Sequence, residues 1–187
     1  MIVRPTALPG VLCFEPAAFT DARGWFSETW RGERYAEHGL PPSMAQHNLA
    51  WSRARVLRGL HLQHPQSQGK LVQTLVGAVF DVAVDVRTGS PTFGRWVGEE
   101  LSAQNRRQLW IPPGFAHGYC VLSQESLLSY LLTAPYRPEH ELALRYDDPR
   151  LAIAWPVADP LVSAKDLAAP RLEDLPAGRL PAWPGGS

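Results

Sequence analysis

The clearest pattern in the chain lies between Ala78 and Val86, where two sets of residues alternate without a break. Phe80, Val82, Val84 and Val86 fall on one face, and Val79, Asp81, Ala83 and Asp85 on the other. That two-residue period is the mark of a β-strand. Similar short runs predict strands over residues 108–111, 119–122, 127–133 and 141–146. Residues 1–26 read as extended segments broken by Pro5, Pro9-Gly10, Pro16 and a turn from Asp21 to Gly24, and strand-like text resumes at Val56. Helical signals are few. One covers residues 29–38, stopped by Gly39 and Pro41-Pro42, and a shorter one starts at Ser163. Closely spaced strands with no long helical pattern between them predict an all-β sandwich or barrel.

Composition narrows the picture. A length of 187 residues with 45% hydrophobic and 19% charged residues fits one domain with a packed core. No repeat, low-complexity tract or interdomain linker interrupts it. The segment after Pro149 is rich in Pro and Ala, and residues 172–187 are expected to form a tail beyond a single domain of residues 1–171. Eighteen Lys+Arg balance 18 Asp+Glu, so there is no basic excess to neutralise phosphates, which argues against nucleic acid as a partner. The most apolar stretch, Leu71 to Val86, is interrupted by Gln73, Asp81 and Asp85 and is too short to cross a membrane. With only Cys13 and Cys120 and no signal-like opening, a cytoplasmic protein is expected.

Candidate chemistry sits on polar residues embedded in these strands. Glycine-rich phosphate loops, the Gly-x-Ser-x-Gly elbow and Cys-x-x-Cys pairs are all missing from the sequence. Arg58, His61 and Lys70 fall within one strand–turn–strand unit, a costly grouping unless an anion uses it; His61 alone also fits a structural histidine. Pro112-x-Gly114-x-x-His117 resembles the second motif of a cupin, a small jelly-roll barrel. Metal cupins combine that histidine with a His-x-His pair and a Glu. Here His61 and His64 are three apart, on opposite faces of a strand, and Lys70 follows. No metal is therefore expected. Tyr130 shares a face with Leu128 and Leu132, as a core tyrosine with one satisfied hydroxyl would. Ser163-Ala-Lys165-Asp166 reads as a helix capping box or as the carrier of a functional carboxylate.

Taken in order, these segments resemble the dTDP-4-dehydrorhamnose 3,5-epimerase family. The matching text includes Asp21-x-Arg23-Gly24-x-Phe26-x-Glu28, Gln46-x-Asn48, Val56-Leu-Arg58-Gly-Leu-His61 and Gln68-Gly-Lys70-Leu-Val72. Further on come Ser90-Pro-Thr-Phe-Gly94, Ile111-Pro-x-Gly-Phe-Ala-His117-Gly, Tyr130, Tyr136-x-Pro138, Asp147-Asp-Pro149, Trp155-Pro156 and Ser163-x-Lys165-Asp166. The resemblance implies a cupin-type antiparallel jelly roll with short peripheral helices, a homodimer, no cofactor, and a dTDP-4-keto-6-deoxyhexose substrate. It makes His61 the base, oriented by Asp166, and Tyr130 the acid, with Lys70 near the C4 oxygen. Arg23, Glu28, Gln46, Asn48, Arg58, His117, Glu141 and Lys165 would bind the nucleotide sugar, and Tyr136 would stack on thymine. The segment from Arg23 through Phe26 to Glu28 would enter the partner's site. His47, Ala50, Ala143 and Tyr146 depart from the family's usual residues, at the rim.

The chemistry suits these groups. Protons at C3 and C5 lie beside the C4 ketone, so removing either gives an enolate with charge on that oxygen. Neutral imidazole, with an ordinary pKa of about 6.5, is a suitable base, and a carboxylate on its far nitrogen fixes the tautomer. A fixed cation stabilises the oxyanion. Inversion needs a donor on the opposite ring face, such as a phenol. Three rivals remain: a mono-epimerase of an antibiotic-sugar pathway, a metal-dependent cupin such as a dioxygenase, and a non-catalytic sugar-nucleotide-binding cupin.

Overall fold

The computed structural model describes residues 1–185; Gly186 and Ser187, the end of the expected tail, lie outside them. Four short strands open the chain: β1 (Ile2–Pro5), β2 (Leu12–Glu15), β3 (Ala18–Asp21) and β4 (Gly24–Ser27). Helix α1 (Gly32–Ala36) follows. Next come β5 (Gln46–Arg53), β6 (Val56–Gln63), β7 (Lys70–Val76), β8 (Ala78–Asp85) and β9 (Trp96–Ser102). The series continues with β10 (Gln108–Ile111), β11 (Phe115–Val121), β12 (Glu125–Leu132), β13 (Glu141–Ala143), β14 (Leu161–Val162) and α2 (Ala164–Leu167).

Two sheets face each other. The first has the order β1-β2-β10-β7-β12-β5, and the second β13-β6-β11-β8-β9 with β14 parallel to the start of β6. The other strand pairs of both sheets are antiparallel. This is the expected all-β jelly roll with short peripheral helices. Between the sheets, Val72, Leu109 and Leu128 of the first pack on Val79, Ala83, Leu101 and Phe115 of the second. The other face of β8 is also buried: Val82 and Val84 join Leu60, Leu62, Leu142, Leu144, Leu172 and Leu180 beneath the C-terminal segment. A third cluster, with Phe14, Tyr35, Leu71 and Trp110, lies where α1 covers the outside of the first sheet. Farther along that sheet, Leu49, Trp51, Leu75 and Val76 stay exposed.

Several boundaries differ from those read in the sequence. Strand β11 begins four residues earlier, directly after the Gly114 turn, and every one of its residues is buried, so no alternation marks it. Helix α1 is half the expected length, because the Thr29 carbonyl is taken by the Tyr35 hydroxyl at 2.9 Å and Gln108 Nε2 at 2.7 Å. Strand β13 ends at Ala143. The boundary at 171 is not a break in packing. Leu172 and Leu180 are buried in the core, and Thr88 bridges to Ala182, so the chain beyond 171 closes the body of the domain.

Candidate active site

The register of β6 explains how its polar side chains converge. His117 of β11 pairs with His61, but Tyr119 pairs with Arg58, a slip of one residue. Gly59 absorbs the slip at φ +117°, where a Cβ would stand 2.7 Å from both the Gly118 Cα and the His117 carbonyl oxygen. In a regular strand Arg58 and His61 would face opposite ways. The bulge turns both into one cavity of about 490 Å³ between the sheets, together with Lys70, His117, Tyr130, Lys165 and Asp166.

Asp166 reaches that cavity from α2. Its backbone N–H donates to the Ser163 hydroxyl at 3.1 Å, which is half of the capping box. The carboxylate turns away from the helix. Oδ1 lies 2.7 Å from His61 Nε2, and Oδ2 accepts from the Gly59 N–H at 3.3 Å. Lys70 opens β7 and is 8% exposed, with Nζ donating to the His61 carbonyl at 3.3 Å. Burial pulls its pKa down to about 8, against the opposing pull of Asp81 and Glu141. His117 Nε2 lies 3.0 and 2.9 Å from the two oxygens of Asp81, whose side chain is fully buried. Burial holds His117 below the usual imidazole value despite that carboxylate. Tyr130 pairs with Asn48 and Val72 on the neighbouring strands.

A smaller recess of about 130 Å³ shares His61, Lys70 and Tyr130 and adds Asn48, Gln63, Gln68, Tyr136 and Glu141. Glu141 accepts from the Tyr136 hydroxyl at 2.9 Å and pairs with Lys165. Burial raises the Glu141 pKa, but those two partners bring it below the ordinary carboxylate value. Gln46 donates to Asn48 Oδ1 at 2.9 Å and accepts from the Tyr136 N–H at 2.8 Å. Arg58 is held by Nε to the Ser52 hydroxyl at 3.1 Å, and that hydroxyl also meets Tyr119 Oη at 3.2 Å.

The structure thus gathers His61, Lys70, Tyr130 and Asp166 with Arg58, His117 and Lys165, and sets Gln46, Asn48, Tyr136 and Glu141 beside them. It does not bring in Arg23, Phe26 or Glu28 from the same chain. Arg23 pairs with Asp21 and Glu28 with Arg34, on or beside a β3–β4 hairpin whose strands pair only with each other. Three contributors went unread in the sequence: Asp81, Ser52 and Tyr119. Parity along β5 would have placed Ser52 with Gln46 and Asn48, whereas Asp81, an acid between Phe80 and Val82 in a strand, looks like a solvent-facing position.

Among the described residues neither Arg58 nor Lys70 forms a direct ion pair, so the cavity offers two cations to an anionic ligand. His61 and His117 commit Nε2 to carboxylates, and His64 turns to Ser67. No group of three His, Cys, Asp or Glu side chains converges as metal ligands would, among the described residues. A carboxylate-fixed imidazole, a buried ammonium and a phenol around one cavity can remove a proton beside a carbonyl, hold the oxyanion and return a proton.

Comparison with known proteins agrees with that chemistry. The profile of the family described as dTDP-4-dehydrorhamnose 3,5-epimerase matches residues 5–174. A protein of that description from Pseudomonas aeruginosa is 53% identical over 162 residues, covering 86% of this chain and 90% of the relative. Another, from Neisseria gonorrhoeae, is 52% identical over 169 residues, covering 90% of this chain; there the chain spans only about half of the relative, 52%. The crystal structure of a dTDP-6-deoxy-D-glucose-3,5-epimerase from Legionella pneumophila, in complex with dTDP-4-keto-L-rhamnose, superposes with a TM-score of 0.95 at 47% identity. It covers 97% of this chain and 98% of that one. With fold and sequence in agreement over nearly its whole length, the chain belongs to the dTDP-4-dehydrorhamnose 3,5-epimerase family.

Proposed function

We propose that this chain inverts C3 and C5 of dTDP-4-keto-6-deoxy-D-glucose through an enolate, giving dTDP-4-keto-L-rhamnose, as a homodimer that needs no cofactor. The observation that carries the reading is the junction of His61, fixed by Asp166 at 2.7 Å, with Lys70 and Tyr130 in one cavity. His61 takes the proton on one ring face, Lys70 holds the C4 oxygen as charge develops, and Tyr130 returns a proton on the other. Asp166 keeps Nε2 protonated, so Nδ1 is the basic atom. Arg58 and Lys165 take the diphosphate, with Gln46, Asn48, His117 and Glu141 as further ligand contacts and Tyr136 as a stacking platform for the base.

The dimer rests on two exposed apolar features. The β3–β4 hairpin carries Phe19 and Phe26, each 69% exposed, and β5 presents Leu49 and Trp51 beyond the reach of α1. A partner that covers the first sheet would receive the hairpin, and with it Arg23, Phe26 and Glu28. Cys13 and Cys120, free and buried, suit a reducing compartment, and a cytoplasmic location belongs to the same proposal.

Incubation with dTDP-4-keto-6-deoxy-D-glucose in D₂O, followed by NMR, tests the function. Deuterium at both C3 and C5 with inverted product is the expected result. Deuterium at one carbon alone would make the chain a mono-epimerase, and no exchange would sink the reading. His61→Ala should lose both exchange and product, whereas Tyr130→Phe should exchange protons on the original face faster than it releases inverted product.

A further inference from the structure

Asp81 is a fully buried carboxylate to which the mechanism above gives no task. Its two oxygens are both engaged by one atom, Nε2 of His117, at 3.0 and 2.9 Å. Among the described residues no Arg or Lys pairs with it. Isolating a charge in this way is costly, and purely structural acids are normally surrounded by donors. Asp85 on the same strand is such a case, bound by Arg87, Ser90 and Thr92. His117 meanwhile lines the main cavity, and its other nitrogen, Nδ1, has no hydrogen-bond partner among the described residues.

We propose that Asp81 is a positioning residue that holds His117 as the neutral Nε2–H tautomer, so that His117 offers the ligand an acceptor, Nδ1, and reads a sugar hydroxyl rather than a phosphate oxygen. The surroundings favour a neutral ring. His117 is buried, Lys70 and His61 stand on its cavity side, and burial already lowers its pKa. A carboxylate accepts only, so Nε2 must carry the proton, and an uncharged imidazole then has a lone pair left at Nδ1. A lone pair repels a phosphate oxygen and accepts from a hydroxyl. The division of labour follows: Arg58 and Lys165 meet anionic groups, and His117 recognises the neutral hexose.

This inference rests on the nucleotide-sugar reading, and two measurements keep their failures apart. The first needs no ligand. In protein labelled with ¹⁵N in histidine side chains, the resonance lost in His117→Gln should show one protonated nitrogen, Nε2, at pH 8. Double protonation, or protonation at Nδ1, would overturn the proposal. The second compares dTDP with dTDP-glucose by calorimetry. Asp81→Asn replaces one acceptor oxygen by an NH₂ that can donate to Nε2, which populates the Nδ1–H tautomer. It should weaken dTDP-glucose about tenfold, the loss of one hydrogen bond, and leave dTDP within about twofold. Equal losses for both ligands, or none, would assign Asp81 a structural role only. Wild-type protein that binds neither ligand would refute the nucleotide-sugar reading, while the tautomer measurement would still decide the role of Asp81.

Discussion

Asp166 joins His61 to the backbone that aims it: one oxygen meets His61 Nε2 at 2.7 Å, and the other accepts from the N–H of Gly59 at 3.3 Å. The same carboxylate therefore fixes the tautomer of the imidazole and secures the bulge that turns the imidazole inward. Asp166→Asn keeps the size of the group and removes its charge. Turnover should fall by about 10²- to 10⁴-fold, as expected when a general base loses its orienting partner. Binding of dTDP should stay near wild type, because the nucleotide does not depend on His61. A fall in kcat of less than threefold would remove Asp166 from the catalytic arrangement.

Gly59 itself makes a second test. Its φ of +117° and the 2.7 Å approach of a would-be Cβ to Gly118 and His117 leave no place for alanine. Gly59→Ala should destabilise the protein by about 1–3 kcal/mol in urea unfolding. It should also lower kcat beyond what the unfolded fraction explains, since Arg58 and His61 lose their common direction.

Lys70 gives the pH dependence. Its pKa is depressed from 10.5 to about 8, and the ammonium is the form that stabilises an oxyanion. Activity should therefore decline as pH rises through about 8, and this alkaline limb should vanish from the residual activity of Lys70→Met. The same shift has a sign for stability. Between pH 8 and 10.5 the unfolded chain binds more protons than the folded one, so stability rises with pH across that window. Lys70→Met removes the cost of burying the ammonium. At pH 7 it should be the more stable protein, by up to about 3 kcal/mol, and the less active one.

Subunit exchange tests the proposed sharing of sites. Arg23→Ala and His61→Ala subunits should each be impaired alone. Mixed under conditions that exchange subunits, they should recover part of the wild-type rate, because one site of each heterodimer carries neither lesion. Exchange verified by mass spectrometry without recovery would show that the hairpin serves its own chain.

The thiols offer a control on the core. Cys13 and Cys120 are buried, and burial pushes both pKa values up to about 11. Neither should react with a disulfide reagent at pH 8 until denaturant is added, when both should react. Rapid labelling of the folded protein would mean that β2 or β11 opens far more readily than the packing implies.

Much of this was legible in the sequence, for reasons that particular residues make plain. The alternation from Val79 to Val86 was read correctly, and the structure adds that both faces are covered, one by the opposite sheet and one by the C-terminal segment. Strand β5 escaped notice because its parity is inverted: Asn48 and Ser52 point inward to a polar cavity, while Leu49 and Trp51 point outward. Arg58 and His61 were grouped by their chemistry, but only the slip at Gly59 gives them one direction, and strand parity alone denies it. Asp166 supported two readings, cap and functional carboxylate; in the fold its backbone N–H meets the Ser163 hydroxyl while its side chain meets His61 Nε2. Asp81 gave no signal, since an acid inside a strand normally marks the wet face.

Lys70 belongs to the first sheet and His61 to the second, and the ammonium reaches the histidine's own carbonyl across the gap at 3.3 Å. The spacing between His61 and Lys70 is thus a sheet-to-sheet distance, gauged by the side chains that fill the sandwich. Displacing a reacting group by about 1 Å can cost about 10²-fold in rate. A methyl group lost from Val72 or Leu128 should therefore be felt in turnover as well as in melting temperature. Selection on such a protein acts on its interior as part of the catalyst, and its core should tolerate fewer substitutions than its stability alone would permit.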